Sequence, residues 1–212
     1  MKKNVLIGLI VVIAFYGILY FWNREEKTIK KHPTIHSSAA KPDDFLMEAK
    51  DYEEMQRHDK SVYSIEQAIQ SIWGLENDVD DESFERLEQT ITKLEKVHRR
   101  ILRDSIPSEE LLTAFEYALG NLAHAELEVA EKYSKSNQTE EAKAALKYAQ
   151  VHIKNALLLH HADDSTKSSE LHLLKEMDSL FSLKSLSDPK NTAVLDHLIQ
   201  EVDELITKVD QN

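Results

Sequence analysis

Residues that break a helix are nearly missing from most of this chain, and that scarcity limits its fold more than any other feature. Between residues 42 and 212 glycine occurs only at Gly74 and Gly120, and proline only at Pro42, Pro107 and Pro189. Hairpins and short strands need turn chemistry that such a stretch lacks. What it can build is helix, and the expected fold is all-α: a bundle of about six antiparallel helices over 43–73, 82–103, 108–134, 139–161, 167–186 and 190–209.

Apolar spacing supports these cuts. Phe84, Leu87, Ile91, Leu94 and Ile101 recur every three or four residues, as do Leu195, Leu198, Val202, Leu205 and Val209, which places each set on one helical stripe. Val97 and Leu102, and Ile199 and Ile206, widen the two stripes beyond a coiled-coil seam, as packing inside a globular bundle requires. Ser108-Glu109-Glu110 after Pro107, Thr139-Glu140-Glu141, and Asp188-Pro189 read as helix starts.

Ahead of this region, Val5 to Trp22 is an unbroken run of eighteen uncharged residues. About 20 residues of helix cross a bilayer core, and the run exceeds the roughly 7–15 apolar residues of a cleavable signal peptide. Tyr16, Tyr20, Phe21 and Trp22 gather at one end of it, as aromatic side chains do at a headgroup boundary. Residues 1–22 are therefore expected to be a single transmembrane anchor, and residues 23–41 a polar, basic linker. Lys2 and Lys3 favour a cytoplasmic N-terminus, while Arg24, Lys27, Lys30 and Lys31 argue the other way. A short basic start before an apolar run is also how exported chains begin, so the 42–212 domain is expected outside the cytoplasm.

That domain carries 19 Lys and Arg against 36 Asp and Glu, a net of −17. Such a field repels phosphate backbones and anionic headgroups, which argues against nucleic acid as a partner. With no cysteine in the chain, disulfide staples, thiol catalysis and cysteine metal sites are ruled out.

Val129, Ala130, Tyr133, Asn137, Ala142, Leu146 and Ala149 stand at spacings that resemble one tetratricopeptide helical hairpin. Shifting by that family's 34-residue period finds no second copy. A looser echo pairs Trp73, Leu87 and Leu94 with Tyr133, Leu146 and Ile153, and the arrangement also looks somewhat like YfdX-type exported helical proteins. Neither resemblance assigns a functional residue.

The chain has ten histidines, and helix neighbours three or four apart share a face. His124 with Glu128, Glu95 with His98, and Glu54 with His58 meet that spacing, and His152 lies across the expected hairpin from His124. His124, Glu128 and His152 form one candidate metal set. His160 and His161, with Asp163 and Asp164, form another at a helix end, where histidine is also favoured by the helix dipole. A di-metal bundle needs two Glu-x-x-His motifs, and only Glu95-x-x-His98 is present. The acidic run Asn77 to Glu82 lacks the glycine and glutamate of a calcium loop and reads as a helix-start cluster, although Asp78 to Asp81 also spells a short pattern of some terpene cyclases. His58-Asp59 resembles the pair of HD-type phosphohydrolases, but the earlier histidines, His32 and His36, fall in the linker. Phosphate loops, His-Glu-x-x-His and nucleophile elbows do not occur.

No catalytic residue and no cofactor are therefore expected. The leading expectation is a binding or scaffolding module that meets the membrane through its N-terminal helix and another protein near the bilayer. The alternative is a metal-binding helical protein.

Overall fold

The computed structural model describes residues 39–75, 79–103, 106–159 and 164–211, the side chains of 164–166 excepted. The expected anchor, most of the linker, Asn77, Asp78, His160, His161 and Asp163 lie outside the described residues. Among those described, the fold is all-α with seven helices: α1 Lys41–Glu54, α2 His58–Trp73, α3 Asp81–Arg103, α4 Ser108–Lys135, α5 Thr139–Leu159, α6 Asp164–Phe181 and α7 Pro189–Gln211. No helix among them is long and apolar enough to cross a membrane.

The single helix expected over 43–73 is two helices. Its break lies at Met55-Gln56-Arg57, where the Gln56 N–H donates to Glu53 O (2.9 Å) and the Arg57 N–H donates to Tyr52 O (2.9 Å). Gln56 is left-handed at φ 58°. These paired bonds and the left-handed residue make a Schellman motif, which satisfies the orphan carbonyls of α1. Glycine usually fills that position, so glutamine there gives little sequence signal. The same motif closes α4: Asn137, at φ 61°, donates to Ser134 O, and Gln138 donates to Tyr133 O.

The two hairpins built on these turns, α1–α2 and α4–α5, match at a constant offset along the chain. Ala49, Tyr52, Gln56, Ser61, Ile65 and Ala68 of the first correspond to Ala130, Tyr133, Asn137, Ala142, Leu146 and Ala149 of the second. Apart from the two half-buried tyrosines and the turn residues, every matched position is buried. The two hairpins thus share one pattern at matched positions, with α3 between them.

Two other boundaries moved. The helix expected over 167–186 spans Asp164–Phe181, because Leu186 turns into the core while its carbonyl accepts the Ser134 Oγ–H at 2.6 Å. Pro189 opens α7 as expected, with Asp188 Oδ1 accepting the Lys190 N–H at 3.0 Å. Asp80 caps α3 by accepting the Ser83 N–H at 2.8 Å, the role read for the acidic run. Of the stripe-widening residues, Val97 and Ile206 are buried and Ile199 is half-buried, but Leu102 faces solvent.

Helix α4, at 28 residues about 42 Å long, organises the fold. It packs against α1, α3, α5 and α7 and belongs to two apolar cores. Its first half, with Leu112, Phe115 and Leu119, joins α1, α2 and α3; its second half, with Ala123, Leu127 and Ala130, joins α5, α6 and α7. Small residues let the axes approach: Ala142, Ala145 and Ala149 of α5 are buried against it. At Gly120 a Cβ would lie 2.8 Å from Ile206 Cγ1 of α7.

Candidate functional site

Three histidine clusters stand between helices. In the first, Asp43 in the opening turn of α1 meets α5. Its Oδ1 lies 2.6 Å from His152 Nδ1, and its Oδ2 accepts the Asn155 Nδ2–H at 2.7 Å. His152 is 0% and Asp43 1% exposed. Burial alone would pull the imidazole pKa down, but the charge and hydrogen bond of Asp43, with the more distant charge of Glu126, outweigh it and hold the pKa above its usual value. His152 Nε2 is closed off and has no hydrogen-bond partner. With one nitrogen on Asp43 and the other sealed in the interior, this group acts as a tie between α1 and α5.

The second cluster joins α3, α4 and α7. His124 is buried, with Nε2 3.3 Å from Asp203 Oδ1 and Nδ1 3.9 Å from Glu128 Oε1. Arg86 Nη1 donates to Asp203 at 2.6 Å, and Ser83 Oγ–H donates to Glu128. Burial lowers the His124 pKa more than the two carboxylates raise it, and the Arg86 charge lowers it further. Because the two ring nitrogens face different carboxylates, the set is a bridge between helices and not a chelate around one ion.

The metal set expected from His124, Glu128 and His152 therefore does not converge. His124 and Glu128 are neighbours, while His152 belongs with Asp43, and the two histidines share no partner among the described residues. His98 pairs with Glu66 at 2.9 Å and Glu95 with Arg99, so Glu95-x-x-His98 makes no ligand pair. His58 turns to Glu53 at 2.8 Å, while Glu54 pairs with Lys50.

The third cluster was not anticipated. His172 and Glu176 of α6 and Glu201 of α7 offer ligand atoms that all lie within 4.8 Å of one another, the one such group among the described residues. The signal was present in the sequence as two His-x-x-x-Glu pairs, His172 with Glu176 and His197 with Glu201. Glu-x-x-His spacing does not find them.

Close to the start of α6, Glu170 is 2% exposed. Burial first, and then the charge of Glu116 on α4, push its pKa up to about 8, so the carboxyl is largely protonated at neutral pH.

The chain matches no protein-family model, no curated protein and no solved structure. What fold and site define is a class alone: an all-α protein whose interior histidines are closed by its own carboxylates.

Proposed function

We propose that the chain is a non-catalytic helical module that binds or scaffolds another protein, held at a membrane by residues 1–22 through the polar stretch that runs from residue 23 to the start of α1, with its domain on the extracytoplasmic side. The observation that carries this reading is the pair of matched hairpins, α1–α2 and α4–α5. Both resemble a scaffold whose use is to present helical surface to peptides and helices. The buried histidines favour the same reading, since each is engaged or flanked by carboxylates of its own fold and holds helices together.

The domain's charge of −17 over residues 42–212 suits a partner with a basic surface. Attraction of that kind weakens as salt screens it, with a Debye length of about 10 Å at 0.1 M. About 19 residues of coil reach about 20–25 Å, which keeps the partner close to the bilayer.

The test is in-cell crosslinking of the full chain beside a version whose residues 1–22 are replaced by an unrelated anchor. Capture of the same protein by both, decreasing with ionic strength in pull-downs, is expected. Capture of no specific protein by either overturns the reading, and a reporter fused after Asn212 that is active only in the cytoplasm overturns the topology.

A further inference from the structure

Helices α6 and α7 pack side by side, and His172 and Glu176 on α6 meet Glu201 on α7 at the shared seam, their ligand atoms all within 4.8 Å of one another. His172 Nε2 stands 3.5 Å from Glu176 Oε1 and 3.7 Å from Glu201 Oε1, and His197 Nε2 stands 3.9 Å from Glu201 Oε1.

These separations are too long for N–H···O hydrogen bonds, which run about 2.7–3.2 Å. They approach the spacing of ligands around an ion. Donors about 2.0–2.2 Å from a tetrahedral zinc stand roughly 3.3–3.6 Å from one another, and the ligand atoms of His172, Glu176 and Glu201 all lie within 4.8 Å of one another. His172 is more than half exposed and has the rotamer freedom to close that gap.

A second observation points the same way. Glu176 Oε2 and Glu201 Oε2 are shut off from solvent, yet neither has a hydrogen-bond partner. Such atoms are costly to leave unmet, and a cation held by these two carboxylates offers them a counter-charge. A cleft of about 190 Å³ opens at this seam, lined by His172, Leu173, Glu201, Glu204, Leu205 and Lys208 among others. Glu204 and Lys208 are opposite in sign, which leaves Glu201, the ligand carboxylate that lines the cleft, to set its charge.

We propose that His172, Glu176 and Glu201 bind one divalent first-row transition metal ion of the zinc type, bridging α6 to α7. An imidazole nitrogen with two carboxylate oxygens suits such an ion better than calcium or magnesium, which take oxygen ligands. The ion has a mechanical consequence. Among the described helices α6 packs only against α5 and α7, so a metal bridge locks it in place. The site does not depend on the binding-module reading, and either can fail without the other.

Zinc titration of the full-length chain, purified in detergent and stripped with chelator, tests the site by calorimetry and melting temperature. One equivalent bound in the micromolar range or tighter, with a rise in melting temperature, is expected for the unmodified chain and for His160→Ala/His161→Ala. Glu176→Gln/Glu201→Gln should lose that equivalent and the thermal shift while keeping its helical circular dichroism. If that variant does not fold, His172→Asn, at an exposed position, carries the same expectation. Undiminished zinc binding in these variants, loss of binding in His160→Ala/His161→Ala instead, or no zinc uptake by the unmodified chain overturns the proposal.

Discussion

The imidazole of His152 and the carboxylate of Asp43 meet at 2.6 Å in the interior, fastening the first turn of α1 to the middle of α5. Removing one member leaves the other buried without its counter-charge, a loss of about 3–5 kcal/mol. Asp43→Ala should therefore lower the unfolding free energy by that amount in denaturant titrations. The His152 pKa is raised in the folded state, so its contribution is complete below the unfolded value of about 6.5. It declines as pH rises through the folded value. The stability difference between the unmodified chain and His152→Asn should accordingly be largest under mildly acidic conditions and shrink toward alkaline pH.

Gly120 and Ile206 allow α4 and α7 to touch. Ala at position 120 gains about 1 kcal/mol of helix propensity but places its Cβ 2.8 Å from Ile206 Cγ1, and overpacking costs about 1–3 kcal/mol. Gly120→Ala should be destabilising on balance. The double variant with Ile206→Ala should lose less than the sum of the two single changes, by about 0.5–3 kcal/mol in a double-mutant cycle. Strict additivity would show that the helices do not approach there.

At the two Schellman turns, left-handed backbone is held by Gln56 and Asn137. That conformation costs an ordinary side chain about 1–2 kcal/mol, and asparagine less. Gln56→Gly should raise the melting temperature, while Asn137→Gly changes it less. Gln56→Val, with a branched Cβ, should lower it.

Glu170 gives a pH dependence of its own. Its folded pKa of about 8 lies above the ordinary 4.5, so the folded state holds a proton that the unfolded chain releases. Stability from this group falls as pH rises from 4.5 to about 8, and the cost is complete above that. Glu170→Gln should match the unmodified chain below pH 4.5 and exceed it at pH 9 by about 5 kcal/mol, measured by chemical denaturation at both pH values.

The helices were legible because their signal is local. Leu87, Ile91 and Leu94, or Leu195, Leu198 and Val202, lie on one face whatever they pack against, and Asp188-Pro189 starts a helix through its own chemistry. The break at Gln56 was not legible, since glutamine carries no marked preference for left-handed backbone. The second hairpin was missed because its match to the first lies in small residues such as Ala49 and Ser61, whose burial only packing reveals.

Sequence alone determined that residues 42–212 form amphipathic helices and carry excess negative charge, because periodicity and composition belong to the chain before it folds. Which histidine meets which carboxylate was decided only by the tertiary structure. His124 and His152 looked like partners across one hairpin, yet the rotation of each helix about its axis sends them to Asp203 and Asp43. The pair His172 with Glu176 is written into a single helix by one-turn spacing. Its meeting with Glu201 depends on α6 and α7 burying Leu173, Met177, Leu198 and Val202 together, and burial of apolar faces, not the polar residues themselves, sets that register.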